Sequence, residues 1–488
     1  MAGSLHLSPV KQIAAAVLFV VTLSGCQRVR VKADTTGDRR TTLRADIDAL
    51  LNAPELAHGY WGVVIKSLRD GDTLYSVNAR KLMMPASNMK IVTLAAAAEK
   101  LGWDYRYETT VRAVGTIENG ALDGDVVVVG SGDPSLVASD GTADRLFAEW
   151  ASRLKGAGIR TVNGRVIGND KAFDGERLGF GWSWDDLPDD YAAGVGALQL
   201  NEDAVLVTIS PGPSVGASAA AAIGPVAGGL AIDNGVITTA ADGQPAVHAR
   251  RLPGSRRLSL RGTVPAGHAP VVIGASVDNP TQFFVDALRA ALIANGIDVR
   301  GAAVDIDDAS DAPPSTSGRA IVSYQSPPLA TLAQRLMKAS QNQYAETLLK
   351  TAGPAQPILQ SWGIDPSELI QRDGSGLSRY DYVTPESLVA ILTHIDRDPK
   401  LKEAFEASLP VAGRDGSLTN RMKGTVAEGN ARAKTGSMSN VRALSGYVTS
   451  GTGEPLVFSI IANNFDVPPG TINRTADAIV VRLAQFTR

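Results

Sequence analysis

The sequence predicts an α/β protein of the α+β kind, with one domain assembled from both chain ends and a long β-rich module inserted in its middle. Three observations carry this. Up to about residue 110 and again from about residue 320, helical periods and strand-like runs follow one another closely. Between them the pattern changes to short β-rich runs separated by Gly/Asp turns. Ile91 to Ala98 is apolar nearly all round, as expected of a helix buried at the centre of a domain. With 488 residues the chain can build two or three domains with full cores.

Taken in order, the chain begins with Lys11 ahead of an apolar run, Ile13 to Leu23, too short for an ordinary membrane-spanning helix. It reads as a secretory leader. The run ends in Leu23-Ser24-Gly25-Cys26, which resembles the lipobox at which bacterial lipoproteins are cleaved and lipidated on the cysteine. Cys26 is the chain's single cysteine. The expectation is a leader over 1–26 and a lipid anchor at Cys26; the alternative is an ordinary signal peptide with an incidental cysteine. Export places the protein in the periplasm or cell envelope. Gln27, where aspartate often retains lipoproteins at the inner membrane, favours the outer membrane if the cell has one. Residues 27–41 are polar and read as a tether.

A helix fits Leu43 to Ala53, and two strands follow, Trp61 to Ser67 and Thr73 to Val77, with Asp70-Gly71 as their turn. In the middle of the chain, Val126 to Val129 and Ala204 to Ile209 read as strands and Thr281 to Ala294 as a helix. Pro211 to Gly229 has little patterning and reads as loops of a small β subdomain. Pro313-Pro314-Ser315 is a plausible boundary. Beyond it Leu329 to Ser340 is amphipathic and Gln343 to Thr351 continues helical. Ala443 to Thr449 and Leu456 to Asn463 read as strands joined by the turn Ser450 to Glu454, and Thr475 to Phe486 as a closing helix. The expected division is therefore 42–110 with 321–488, an inserted domain of 111–205 with 272–320, and a nested subdomain of 206–271.

Bulk composition narrows the function. A net charge of −3 and no clustered basic stretch argue against a nucleic-acid partner. Five histidines and one cysteine, with no His-x-x-x-His or Cys-x-x-Cys spacing, give no basis for a metal site, and no cofactor is expected.

Chemistry is carried by three short motifs: Ser87-Asn88-Met89-Lys90, Ser340-Gln341-Asn342 and Lys434-Thr435-Gly436. A serine hydroxyl is a poor nucleophile at neutral pH and needs a base within reach. Residues i and i+3 share a helix face, so Ser87 at a helix start can meet the Lys90 amine. A buried lysine beside another cation loses its proton more readily, and Lys434 is expected to supply that cation. Ser340 would relay the proton to the leaving amine, and Asn342 would fix Lys90 and the substrate amide. Thr435, Gly436 and Ser437 would line the substrate, with Gly436 leaving room for its backbone. The N–H groups of Ser87 and Ser437 would form an oxyanion hole, worth about 3–4 kcal/mol per donor in comparable enzymes.

Each motif alone is weak. Ser152-Arg153-Leu154-Lys155 repeats the first in what reads as a solvated helix face, and Ser76-Val77-Asn78 repeats the second in the early hairpin. Order and context separate the working copies: a nucleophile before a buried helix, Ser-x-Asn after a helix, and Lys-Thr-Gly before two strands.

Around these motifs the chain resembles class C low-molecular-mass penicillin-binding proteins, the D-Ala-D-Ala carboxypeptidase/endopeptidase family. The resemblance runs from about residue 42 to the C-terminus. It includes Gly130-Ser131-Gly132-Asp133-Pro134, Gly181 to Asp186, Ser340 to Glu346, Asp373 to Arg379 with Val383-Thr384-Pro385, and Gly413 to Leu418. It implies a β-lactamase/transpeptidase-like domain, an antiparallel sheet flanked by helices, with the long insertion between Ser87 and Ser340 as a family hallmark. It implies peptidoglycan stem peptides as substrates and β-lactam antibiotics as covalent inhibitors. It also implies a pocket for the side-chain amine of the stem, with Asp186 binding the ammonium, Tyr191 and Arg379 shaping the pocket, and Ser439 near the strand edge. Asp186, one of several acids between Asp185 and Asp190, reads alternatively as a solvated loop charge, and Arg379 as a structural ion-pair residue.

Two departures stand out: Gln341 where aspartate is common, and a short segment between Glu346 and Asp373, which leaves the local helices and the cleft wall open. The leading reading is a serine D-Ala-D-Ala carboxypeptidase, with DD-endopeptidase action as an extension. A β-lactamase or esterase on the same scaffold and a non-catalytic peptidoglycan-binding protein are the alternatives.

Overall fold

The computed structural model describes residues 36–137, 140–224 and 229–488. The leader and Cys26 lie outside the described residues. Both chain ends build one antiparallel sheet in the order Arg432–Met438, Val441–Thr449, Pro455–Asn463, Tyr60–Ser67, Thr73–Val77. The last two form the expected hairpin, with Gly71 at φ +80° in its turn. Alternation along the strands feeds two apolar layers. Val64, Val457 and Ile461 face the layer that holds helices Met89–Leu101, Leu329–Lys338, Asn342–Ala352 and Pro385–Arg397. Val63, Ile65, Phe458 and Ile460 face the layer made with helices Thr36–Leu51 and Pro469–Gln485.

The helix Met89–Leu101 is the centre of the first layer, with every residue from Met89 to Ala98 buried. Its alanines at 95–98 let neighbouring helices approach closely. Burial of Ile91, Val92 and Leu94 stabilises this placement by about 1.5–3 kcal/mol each. The helix start that carries the nucleophile candidate is thus fixed by the domain core.

The insertion has its own sheet, in which Glu108–Glu118 pairs with Ala121–Gly130 on one side and Arg319–Gln325 on the other. Helices Thr142–Gly156 and Pro280–Ala294 pack on it through Phe147, Trp150 and Phe284. Within the insertion, Ala204–Ser210 pairs with Val271–Ser276 and Ala220–Gly224, beside a second sheet of Ala246–Arg250, Arg257–Pro265 and Ala231–Thr239. No described helix is long and apolar enough to cross a membrane.

Four expectations need correction. The first helix runs Thr36–Leu51, so part of the presumed tether is helical and Asn52 and Ala53 are not. Leu43, Ile47 and Leu51 dock one face of it, while Arg44 Nε donates to the Leu74 carbonyl at 3.0 Å. The stretch read as loops contains the strand Ala220–Gly224; it lacks a buried face, so no period-two signal marks it. The strand Arg319–Gln325 straddles the division expected at residue 321, because its partner is Glu108–Glu118. The break comes at Ser326-Pro327-Pro328, where proline ends the ladder and Ser326 Oγ accepts the Tyr107 N–H at 3.0 Å. Finally, the nested strands begin at Ala204 and end at Ser276, outside the expected 206–271.

Candidate active site

Ser87 sits in the single 3-10 turn Ala86–Asn88 that leads into the central helix. The preceding Ala86 has φ +45°, an uncommon conformation for a residue with a side chain. Two glycines hold this turn. A Cβ on Gly376 would lie 1.9 Å from the Ala86 carbonyl oxygen, and one on Gly436 would lie 2.6 Å from that of Pro85. The space left by Gly436 is therefore filled by the nucleophile turn; the expectation that it opens to substrate is corrected. Asn88, fully buried, donates to Ser445 Oγ at 2.7 Å and ties the turn to the sheet.

Lys90 Nζ lies 2.9 Å from Ser87 Oγ, 2.6 Å from Asn342 Oδ1 and 2.9 Å from the Ser375 carbonyl. Complete burial pushes its ammonium down to about 7, against the pull of Asp373, Glu346 and Asp381 behind it. Glu346 accepts the N–H groups of Gly374 and Ser375 at 2.9 and 2.8 Å, and burial holds its carboxyl above the usual range. Burial and the neighbouring Asp373 charge push Asp381 up strongly as well. Asp373 accepts N–H groups from Gly376 and Ser378, both at 2.6 Å, and from Trp182 Nε1 at 2.9 Å.

Lys434, also fully buried, donates to Ser340 Oγ at 2.8 Å and to the Thr435 carbonyl at 2.9 Å. Burial lowers its ammonium well below the ordinary lysine range, and the charge of Lys90 adds to that. The expected direction is thus reversed. Burial, rather than Lys434, depresses Lys90, and the repulsion falls on Lys434 because three carboxyls support the proton on Lys90.

The Ser340-Gln341-Asn342 loop, with Ser340 at φ +61°, is held from the insertion. Asn342 Nδ2 donates to the Tyr191 carbonyl at 2.7 Å, leaving its second N–H for substrate. Gln341 Nε2 donates to Glu202 at 2.5 Å, Glu202 also pairs with Arg335, and Gln343 bonds the buried Asp203. Asn201, Glu202 and Asp203 all have positive φ, at 54°, 57° and 52°. Gln341 therefore points away from the cleft, to a partner in the insertion.

The cleft, of about 380 Å³, is lined by Ser87, Ser340, Asn342, Thr435, Ser437 and Ser439, together with Asp186, Tyr191 and Arg379. Strand Arg432–Met438 is the sheet edge; the Pro410 carbonyl takes the Ala433 N–H and Lys434 bonds the Thr435 carbonyl, which leaves the edge toward Ser437 for a substrate strand. Tyr191 donates its hydroxyl to Asp186 at 2.8 Å, and no cation neutralises Asp186 among the described residues. Arg379 has no acidic partner there either; one guanidinium N–H approaches the Ser439 carbonyl at 3.5 Å. Helices Asn342–Ala352 and Gln356–Ser361 fill the short segment before Asp373.

Residues that the motifs did not single out complete the site: Ser417, whose Oγ accepts from Thr435 Oγ1 at 2.7 Å, the cleft-lining Leu377 and Met438, and the acids behind Lys90. Ser417 and Asp373 lay inside strings already noted, but nothing local in them signals the contact. The decoys fall elsewhere. Ser152 and Arg153 are exposed on helix Thr142–Gly156, and Ser76 is exposed in the hairpin.

Comparison with known proteins places the chain in a family. The pattern of the D-Ala-D-Ala carboxypeptidase 3 (S13) family matches residues 43–486. A D-alanyl-D-alanine carboxypeptidase of Actinomadura sp. (strain R39) is 36% identical over 478 residues, 93% of this chain and 86% of that protein. The D-alanyl-D-alanine carboxypeptidase DacB of Haemophilus influenzae is 26% identical, over 83% of this chain and 85% of its own. The crystal structure of penicillin binding protein 4 (dacB) from Haemophilus influenzae superposes with a TM-score of 0.76 at 25% identity, covering 90% of this chain and 97% of that one.

Proposed function

The chain belongs to the D-Ala-D-Ala carboxypeptidase 3 (S13) family and is a serine hydrolase, and we propose that it releases the terminal D-Ala of peptidoglycan stem peptides through an acyl-enzyme on Ser87. The observation that carries this is the contact of Ser87 Oγ with Lys90 Nζ at 2.9 Å, at a lysine whose burial brings its proton equilibrium to about neutral pH.

Neutral Lys90 takes the Ser87 proton as Oγ bonds to the carbonyl carbon of the penultimate D-Ala. The resulting oxyanion is received by the N–H groups of Ser87 and Ser437. The C–N bond then breaks, and the proton that Lys90 took from Ser87 passes through Ser340 to the leaving amine, while Lys434 Nζ holds Ser340 Oγ at 2.8 Å. Water, deprotonated by the same lysine–serine machinery, cleaves the ester and frees Ser87. A β-lactam amide enters the same first step. Among the described residues Asp186 is the one carboxylate lining the cleft, and its bond to Tyr191 supports slow release of the penicilloyl group.

Asp186 with Tyr191 receives the side-chain ammonium of the stem's third residue, and Arg379 borders that pocket. When the amine instead carries a crosslink, the same bond-breaking is DD-endopeptidase action. The leader and lipobox support export with a lipid on Cys26, which puts the domain in the cell envelope, at the outer membrane where one exists. Labelled penicillin should attach to the wild type and not to Ser87→Ala, and a pentapeptide should lose one D-Ala; undiminished labelling of Ser87→Ala would refute the assignment. The mass of the mature N-terminus tests the lipid.

A further inference from the structure

Between residues 174–180 of the insertion and helix Asn342–Ala352 lies a groove of about 670 Å³. Its lip is an exposed aromatic pair whose rings are tilted by 53°. Phe180 is 65% and Tyr380 54% exposed, their ring centres 5.6 Å apart, and the Arg372 guanidinium sits 5.9 Å from the centre of Phe180. Arg372 has no acidic partner within 4 Å among the described residues, so its N–H groups are open to a ligand. Gln371 and Glu176 line the groove alongside, and Asp174 there is neutralised by Lys350. Large aromatic faces left in water, bordered by planar hydrogen-bonding groups and little net charge, suit a neutral sugar ring.

We infer that this aromatic pair is a subsite for the amino-sugar glycan to which the stem peptide is attached. The inference rests on the substrate class proposed above and extends it beyond the cleft. The chain length permits this. Ser375 touches Lys90, and Tyr380 is five residues further on, at most about 18 Å away. The four stem residues between the scissile carbonyl and the glycan span roughly 14 Å when extended. Tyr380 also directly follows Arg379 of the cleft, and a Cβ on Gly181 would lie 2.3 Å from its ring, so the aromatic pair and the cleft share one wall.

The test compares a pentapeptide with the same pentapeptide carrying its disaccharide. In the wild type the disaccharide should lower KM about three- to tenfold, the range for one aromatic contact. Phe180→Ala and Arg372→Ala should lose that advantage, and Phe180→Trp should keep it. All three should react with penicillin at the wild-type rate, which distinguishes a lost subsite from a misfolded variant. The inference is overturned if the wild type shows no disaccharide advantage, or if the advantage survives both alanine variants. Titration of the free disaccharide into Ser87→Ala, followed by tryptophan fluorescence, reads the groove without catalysis. Saturation abolished by Phe180→Ala supports it even if the peptidase assignment fails, and a response unchanged by Phe180→Ala sinks it.

Discussion

Acylation of Ser87 by penicillin should rise with pH between 5 and 8, because Lys90 must lose its proton to act. With Lys90 at about 7, about half of the molecules carry a neutral amine at pH 7, about a tenth at pH 6 and about a hundredth at pH 5. A lysine at its ordinary 10.5 would be neutral in about 0.03% of molecules at pH 7, so burial enlarges the competent fraction by about a thousandfold. The second-order rate constant, measured by stopped flow with a fluorescent penicillin, should fall about fivefold from pH 7 to 6 and about tenfold more to pH 5. Thermal melting should be followed in parallel. For a lysine depressed in the folded state, the unfolded chain binds the extra proton between about 7 and 10.5. Its contribution to stability therefore grows with pH across that window and is lost as pH falls through about 7. A rate that is flat from pH 5 to 8 in folded protein, or one that falls as pH rises, would show that neutral Lys90 is not the base.

Gly376→Ala should slow penicillin acylation by more than about tenfold, because its Cβ would collide with the Ala86 carbonyl at 1.9 Å and displace the nucleophile turn. Gly436→Ala, with 2.6 Å to the Pro85 carbonyl, should show a milder loss in the same assay. Gln341→Asp removes a donor to Glu202 and sets two carboxylates face to face, so it should destabilise the protein by about 1–3 kcal/mol. Addition of Glu202→Gln should recover much of that in chemical denaturation; no recovery would mean the pair is not coupled. Asp186→Asn should raise KM about tenfold or more for stems with a free side-chain amine while leaving penicillin acylation within about twofold. Equal losses in both assays would instead mark Asp186 as structural.

The parts legible in sequence were those with a local signature. The hairpin strand Thr73–Val77 has the bounds that alternation and an Asp-Gly turn give, and the helix Met89–Leu101 is buried as its apolar run requires. Ser87 and Lys90 meet because i and i+3 share a helix face, a rule that needs no tertiary knowledge. What was not legible depends on contacts across long separations. The proton on Lys90 is set by burial, against the opposing pull of Asp373, Glu346 and Asp381, each more than 250 positions away, and no spacing rule reports that. Gly436 looked like room for substrate because a glycine records that space is needed, not what fills it. The strand Ala220–Gly224 was missed because a strand with no buried face leaves no alternation to read. Gln341 departs from the aspartate common at its position, and only the fold reveals its partner, Glu202.

The grip of the insertion on the Ser340 loop and on Asp373 has a consequence for the order in which the chain matures. Tyr191, Glu202, Asp203 and Trp182 all lie in the middle of the polypeptide, yet they hold the second motif and the acid behind the base. Ser87 emerges early in synthesis and Lys434 late, and the two cannot cooperate until the intervening module has folded and closed over them. A half-folded chain would carry every reactive group and no working apparatus. Penicillin reactivity should therefore return, on refolding, no sooner than the module's own tertiary signal; earlier return would separate the two. Latency of this kind keeps a serine hydrolase idle until its fold is complete, and it arises from topology alone.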